Sequence, residues 1–183
     1  MPRISNAIRQ NIPAILTFAI SVAVTGGLAL AAQDRSALKV PNGLAFAEFK
    51  GYETWQPVAV SQTEGSLKVI AANAAMIDAY RAGVPGNGKP FPDGAMIVKI
   101  EWSQKKSTES PYFVMVPDTL KTVSFIEKDL KRFPDTNGWA YAQFLNDPKA
   151  DTLAPVGNDA KCGYACHSIV AAKDYIFTAY PPR

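Results

Sequence analysis

The sequence predicts an α+β domain: an antiparallel β-sheet with flanking helices and a C-terminal helix. Several strand-like segments follow one another without long helices between them, which favours an antiparallel sheet. Apolar and polar side chains alternate in part of this region, as expected for a strand with one buried face. The 183 residues include 14 prolines and 12 glycines, which is more typical of a loop-rich mixed fold than of a helical bundle.

The predicted strands lie at 67–72, 95–102, 123–128 and 139–145, and residues 58–60 are expected to be extended. Successive side chains of a strand point to opposite faces of a sheet. In 95–102, one face therefore carries Met96, Val98, Ile100 and Trp102. The other face carries Ala95, Ile97, Lys99 and Glu101. Since Ile97 is apolar, we expect the face of Lys99 to be covered.

The helices are expected to be short. An extended leader at 33–43 precedes a predicted helix at 44–49. Asn73 is expected to cap a helix at 74–82, and Gly83 is expected to end it. The Pro- and Gly-rich residues 84–90 predict a turn, and residues 175–178 are expected to close the chain against the core.

The N-terminal residues 1–32 have the pattern of a cleavable signal peptide. Arg3 and Arg9 precede an apolar run at 12–24, and small residues at 29–32 supply a cleavage pattern. This predicts export to the periplasm and a single mature domain at 33–183; an uncleaved N-terminal anchor is the alternative. Without the two arginines the net charge of +3 falls to +1. No clustered basic stripe is present, so no nucleic-acid partner is expected.

The two cysteines and the one histidine of the chain lie within six residues, in the pattern Cys162-x-x-x-Cys166-His167. A structural zinc site needs four ligands, and only three are available. A thioredoxin-like pair has two residues between its cysteines, and a disulfide across so short a loop would constrain little. A c-type haem fits best, although the usual attachment motif also has two intervening residues. We therefore predict one covalent haem c, bound through Cys162 and Cys166 with His167 as iron ligand, at the start of a helix that runs to residue 172.

The residues alone do not decide what occupies the iron's other axial position. A second histidine ligand is excluded, because His167 is the only histidine. The remaining candidates are a lysine, an open site, or one of three methionines, Met76, Met96 and Met115. A methionine ligand would favour electron transfer, whereas an open site would favour ligand binding or catalysis.

Five segments, in this order, resemble the cytochrome P-460 family and the related cytochromes c′-beta. They are Tyr52-Glu53-x-Trp55, the turn at 85–94, Lys128-Asp129-x-Lys131-Arg132-Phe133, Gly138-Trp139, and the Cys-Cys-His motif followed by Phe177-Thr178. The resemblance spans residues 52–180. It implies an α+β homodimer with one five-coordinate c haem, and it implies hydroxylamine oxidation with electrons passed to an external acceptor.

The resemblance also implies roles for two residues of the strand 95–102. The family's enzymes join a strand lysine to the haem ring, and Lys99 stands at the matching distance after Asp93-Gly94. Glu101 lies two residues further along the same face and is a candidate proton acceptor for the substrate. The alternative for both residues is a surface charge on an amphipathic strand.

Further candidates follow from the resemblance less directly. Arg132 is a candidate partner for a haem propionate, or part of a solvated basic patch with its neighbouring lysines. Lys68 is a candidate basic residue above the iron. The aromatic candidates for the pocket wall are Phe91, Phe113 and Phe133.

The sequence thus predicts an exported mono-haem c-type cytochrome that binds or oxidises small nitrogen species, such as hydroxylamine or nitric oxide. Two alternatives stay open. The protein would bind nitric oxide without turnover if Lys99 were not linked to haem. It would be a plain electron carrier if a methionine held the iron.

Overall fold

The strands of the protein form an antiparallel sheet whose spatial order follows the sequence. The computed structural model describes residues 32–183, which form one compact unit. Within them the six strands are β1 Gln56–Thr63, β2 Ser66–Ala72, β3 Met96–Lys106, β4 Met115–Lys128, β5 Trp139–Asp147 and β6 Thr152–Val156. Apart from Ala32, the predicted signal peptide lies outside the described residues. None of the helices in the described part is long and apolar enough to cross a membrane.

The helices are few and short, as the α+β prediction requires. The α-helices are α1 Ala74–Arg81 and α2 Tyr164–His167. The remaining turns of helix are 3₁₀ segments, at Arg35–Ala37, Phe46–Phe49, Tyr52–Thr54, Pro134–Thr136 and Ser168–Lys173. The predicted fold class is therefore confirmed.

The predicted strands are confirmed in position but were too short and too few. β3 continues to Lys106 and β4 begins at Met115. The added residues form an exposed hairpin without the alternation that marks a buried face, so the sequence pattern did not predict them. β6 was not predicted. It contains Pro155, which cannot donate to a ladder and is tolerated here because β6 lies at the edge of the sheet.

The N-terminal segment covers one face of the sheet with aromatic side chains. Phe46 and Tyr52 pack edge-on against Phe125 of β4, and Phe49 stacks on the same ring with a centroid distance of 4.2 Å. Val98 of β3 lies in this cluster and is fully buried. This face is therefore closed by side-chain packing.

α1 covers part of the opposite face, and Asn73 joins it to β3. The Asn73 side chain accepts from the backbone N–H of Met76, which confirms the predicted helix cap, and also from that of Met96, each at 3.1 Å. Its amide donates to the carbonyl of Gly94 at 2.8 Å. A single side chain thus fixes the helix against the strand that carries Lys99.

The predicted helix from the cysteine motif to residue 172 is wrong in kind. The α-helical part ends at His167, and a 3₁₀ segment with a kink at Val170 replaces the rest. The Ser168 hydroxyl donates to the carbonyl of Ala165 at 2.6 Å, and such a bond competes with the helical ladder. Two β-branched residues, Ile169 and Val170, follow and further disfavour a regular helix.

A buried ion pair ties the C-terminal segment to the sheet. Lys128 Nζ at the end of β4 lies 2.9 Å from Asp174 Oδ1, and the two side chains are 6% and 11% exposed. Asp174 also accepts from the indole N–H of Trp139 at 3.2 Å and from the backbone N–H of Phe91 at 2.8 Å. The carboxylate thereby holds together β4, β5, the loop before β3 and the C-terminal segment.

We predict that Asp174→Asn lowers the free energy of unfolding by about 3–5 kcal/mol, because it leaves Lys128 buried without its counter-charge. Urea unfolding at neutral pH measures the change. Asp78→Asn is the matched control, since the pair of Asp78 with Arg81 is exposed, and its effect should stay within about 1 kcal/mol. Equal effects of the two substitutions would contradict the prediction.

Candidate functional site

A cavity of about 600 Å³ lies between the sheet and the segment that carries the cysteines. Cys162, Cys166 and His167 line one side, and residues of β1 to β5 form the floor. This volume is within the range of cofactor sites in proteins. The cavity brings together the three residues that the sequence assigned to haem attachment and the strand that carries Lys99.

His167 is held in the orientation of a metal ligand. Its Nδ1 lies 2.7 Å from the carbonyl oxygen of Tyr175, an acceptor, so Nδ1 carries the proton and Nε2 keeps its lone pair. The rings of Tyr141 and Phe177 pack against the imidazole, with centroid distances of 4.8 and 4.9 Å. Burial lowers the pKa of His167 despite the hydrogen bond to Tyr175, and the positive charge of Lys99 lowers it further. The imidazole is therefore neutral at pH 7, the form that binds iron.

The two cysteines carry free thiols, and no disulfide joins them. Burial raises the pKa of the Cys162 thiol, and the negative charge of Asp159 adds to the effect. The carbonyl of Ala160 accepts from the backbone N–H of Tyr141 at 2.8 Å, which fixes the start of the cysteine segment on β5. A side chain at Gly163 would approach Tyr141 Cδ1 to 2.5 Å, so glycine permits this close contact.

The floor of the cavity follows the alternation predicted for β3. Lys99 pairs in register with Ile70 of β2 and Ser124 of β4, and Ser124 pairs with Gln143 of β5. All four residues line the cavity. Met96, Val98 and Ile100 pack into the aromatic cluster on the other face, so the predicted division of the strand is confirmed as far as Ile100. The register shifts between Glu101 and Trp102, and Trp102 is not part of that cluster.

Two hydroxyl groups of the lining are buried without a hydrogen-bond partner among the described residues: Ser124 Oγ and Tyr141 OH. Burial also raises the pKa of Tyr141 well above its usual value, so the phenol keeps its proton. A buried polar group without a partner is costly, so these two hydroxyls are unsatisfied positions in the residues that line the cavity. The paired thiols, the neutral imidazole and the cavity together fit a c-type haem.

Glu101 does not line the cavity, although it shares a strand face with Lys99. It pairs in register with Lys68 of β2 and lies 3.6 Å from Lys121 Nζ. Burial alone would raise the pKa of Glu101, but a hydrogen bond from Ser66 and the charges of the nearby lysines, including Lys99, outweigh it and lower the pKa. The carboxylate is thus ionised at the margin of the cavity, and its role as proton acceptor stays a prediction.

Arg132 lies away from the cavity, which argues against the predicted propionate contact. Its guanidinium binds Glu48 at 2.8 Å and Glu127 at 3.1 Å. Glu127 pairs with Met96, on the face that the N-terminal segment covers. The positive charge of Arg132 is therefore used in an ion-pair cluster behind the sheet.

The predicted aromatic wall is also wrong. Phe91 packs on Trp139 in the core, Phe113 is 77% exposed in the loop between β3 and β4, and Phe133 packs against the cluster on the other face. Phe177 lines the cavity instead, together with Tyr141. The alternation of β5 could have identified Tyr141 as a cavity residue, because its side chain shares the face of Gln143.

The methionines that the sequence offered as iron ligands lie elsewhere. Met76 is buried on the inner side of α1, Met96 packs against the aromatic cluster, and Met115 begins β4. None of these three lines the cavity, whereas Lys99 does. Among the described residues, the cavity therefore offers no methionine opposite His167.

Comparison with known proteins identifies one family. The family model described as Cytochrome P460 matches residues 49–178. This range begins in the N-terminal aromatic cluster and ends at the C-terminal wall of the cavity, so it includes the whole sheet and the cysteine motif. No curated protein matches the chain.

We predict that Gly163→Ala destabilises the protein by about 1–3 kcal/mol, because the new methyl group collides with Tyr141 and displaces the cysteine segment. Urea unfolding of the haem-free protein measures the loss. Gly65→Ala is the control, since no atom lies within 4 Å of a Cβ there. A Gly163→Ala protein as stable as the Gly65→Ala protein would contradict the close packing.

Proposed function

The chain belongs to the cytochrome P460 family of haem c proteins, and on this basis we propose that it is an exported mono-haem cytochrome that binds or oxidises small nitrogen species. In this proposal Cys162 and Cys166 form thioether bonds to the haem, and His167 holds the iron. The periplasmic location, the homodimer and the external electron acceptor are parts of the same proposal. Hydroxylamine and nitric oxide are the proposed ligands.

One observation carries the proposal: the two thiols, the neutral imidazole and Lys99 line the same cavity. When bound, the haem would supply an iron centre that coordinates the nitrogen ligand and exchanges electrons. The Tyr175 carbonyl keeps the proton of His167 on Nδ1, which leaves Nε2 free for the metal. The position of Lys99 is compatible with the lysine cross-link of the family's hydroxylamine-oxidising members.

The walls of the cavity suit a small polar ligand. Apolar side chains, including Ile70, Ile97 and Ile126, form much of the floor. Polar side chains also line it, among them Ser61, Lys99 and Gln143, and each can form a hydrogen bond to a nitrogen or oxygen atom. The cavity is thus mostly apolar with a few polar groups, a pattern common in small-molecule sites.

Two other functions remain as alternatives. A nitric oxide-binding protein without turnover would use the same cavity and differ only in leaving Lys99 unlinked. A plain electron carrier with methionine as second axial ligand is disfavoured, since none of the described residues at the cavity is a methionine. The open coordination site therefore has better support.

We predict that the protein, expressed with a cytochrome c maturation system, carries one covalent haem per chain. Intact mass spectrometry should show full attachment in the parent protein and none in the Cys162→Ser/Cys166→Ser double variant. Each single variant should lose one thioether bond. A parent protein without covalent haem would overturn the proposal, and a low-spin six-coordinate spectrum would overturn its open site.

We predict that proteolysis of the holoprotein releases the Lys99 peptide joined to the haem peptide. Lys99→Arg should abolish this species and lower hydroxylamine oxidation by about 100-fold or more, the scale on which a positioned catalytic group contributes. Lys89→Arg, an exposed lysine in the turn before β3, is the control and should change neither. An unlinked Lys99 in the parent protein would exclude the enzyme and leave the nitric oxide-binding alternative.

A further inference from the structure

We propose that Tyr164, the central residue of the lengthened loop between the cysteines, is a positioning residue for His167 and acts on it through Tyr175. The inference rests on the proposed function, because it requires His167 to hold the iron. It assigns a purpose to the feature in which the motif departs from the usual spacing, a third residue between Cys162 and Cys166.

The contacts form a continuous chain from Tyr164 to the imidazole. The rings of Tyr164 and Tyr175 stack with a centroid distance of 5.1 Å, and the Tyr164 hydroxyl donates to that of Tyr175 at 3.2 Å. The side-chain amide of Asn137 donates to both hydroxyls, at 2.5 and 2.6 Å. The backbone carbonyl of Tyr175 in turn accepts from His167 Nδ1 at 2.7 Å. No other hydrogen bond of the His167 ring is present among the described residues.

The carbonyl of Tyr175 needs this support, because it belongs to an unfavourable stretch of backbone. Asp174 and Tyr175 have φ values of +47° and +65°, in the left-handed region that side-chain-bearing residues rarely adopt. Such a conformation persists only where the surroundings impose it. The ion pair with Lys128 holds Asp174, and the contacts with Tyr164 and Asn137 hold Tyr175.

Tyr164 does not line the cavity, so its side chain is available to contact Tyr175. Cys162, Gly163 and Cys166 do, whereas the Tyr164 ring lies against the hydrophobic cluster beneath α1 and β5. Asn137 reaches the two tyrosine hydroxyls from the turn before β5, where its φ is +53°. A loop with only two residues between its cysteines would lack one of the three residues Gly163, Tyr164 and Ala165.

The hydrogen bond at Nδ1 affects the iron, since a strong hydrogen-bond acceptor there makes Nε2 a better electron donor to the metal. A better electron donor stabilises ferric iron more than ferrous iron, and this lowers the reduction potential of the haem. If Tyr164 holds the acceptor in place, its removal loosens the bond and raises the potential. Outer partners of metal ligands commonly contribute 10–100-fold in affinity. A tenfold loss in the preference for ferric iron corresponds to a rise of about 59 mV for one electron.

The test is a redox titration of the holoprotein in three variants. Tyr164→Ala removes the stack and the hydroxyl. Asn137→Gly removes the amide, and glycine accepts the positive φ without strain. Tyr112→Ala is the matched control, because Tyr112 is 77% exposed in the loop between β3 and β4. We expect a rise of about 59 mV for Tyr164→Ala, a smaller rise for Asn137→Gly and none for Tyr112→Ala.

A Tyr164→Ala holoprotein that titrates at the parent potential would overturn the inference, and so would an equal rise in the Tyr112→Ala control. If Tyr164→Ala does not accumulate, the potential of Asn137→Gly decides by the same criterion. Tyr164→Phe separates the two contacts, since a parent-like potential assigns the effect to the ring stack and a raised one to the hydroxyl. Absence of covalent haem from the parent protein would instead overturn the proposed function, so the two failures are distinguishable.

Discussion

The buried pair of Lys128 and Asp174 is the interaction on which the candidate site depends. The C-terminal segment has little regular structure, since its helix changes to 3₁₀ after His167 and kinks at Val170. Its position therefore comes from side-chain contacts with the sheet, and Asp174 supplies a buried ion pair among them. Because Tyr175 follows directly, the carbonyl that orients His167 is placed by the same carboxylate.

One face of the sheet forms the packed core, and the other face forms the floor of the candidate site. The N-terminal segment fills one face with interlocking aromatic rings, which leaves no space there for a cofactor. The other face is only partly covered by α1, and the uncovered part becomes the floor of the cavity. Successive residues of β3 serve the two purposes: Val98 is fully buried in the closed core, and Lys99 lines the cavity.

Much of the fold was predictable because it is local. The alternation in β3 and the Asn73 cap depend on neighbours within a few residues, and both were predicted correctly. β6 and the outer half of the β3–β4 hairpin could not be recognised, since their residues are exposed and only pairing with another strand makes them extended. The end of the C-terminal α-helix was missed although its causes are local: the Ser168 hydroxyl bonds the carbonyl of Ala165, and two β-branched residues follow.

For the site, the sequence alone determined the haem motif, the single histidine and the face of the strand that carries Lys99, because composition and strand period suffice for these. Only the tertiary structure decided which charges and rings reach the cavity. Arg132 is bound by carboxylates behind the sheet, and Tyr141 occupies the place for which other aromatic residues were predicted. Such placements depend on contacts between residues far apart in the chain, and no local pattern encodes them. The same holds for Tyr164, whose partners Asn137 and Tyr175 meet it only in the folded protein.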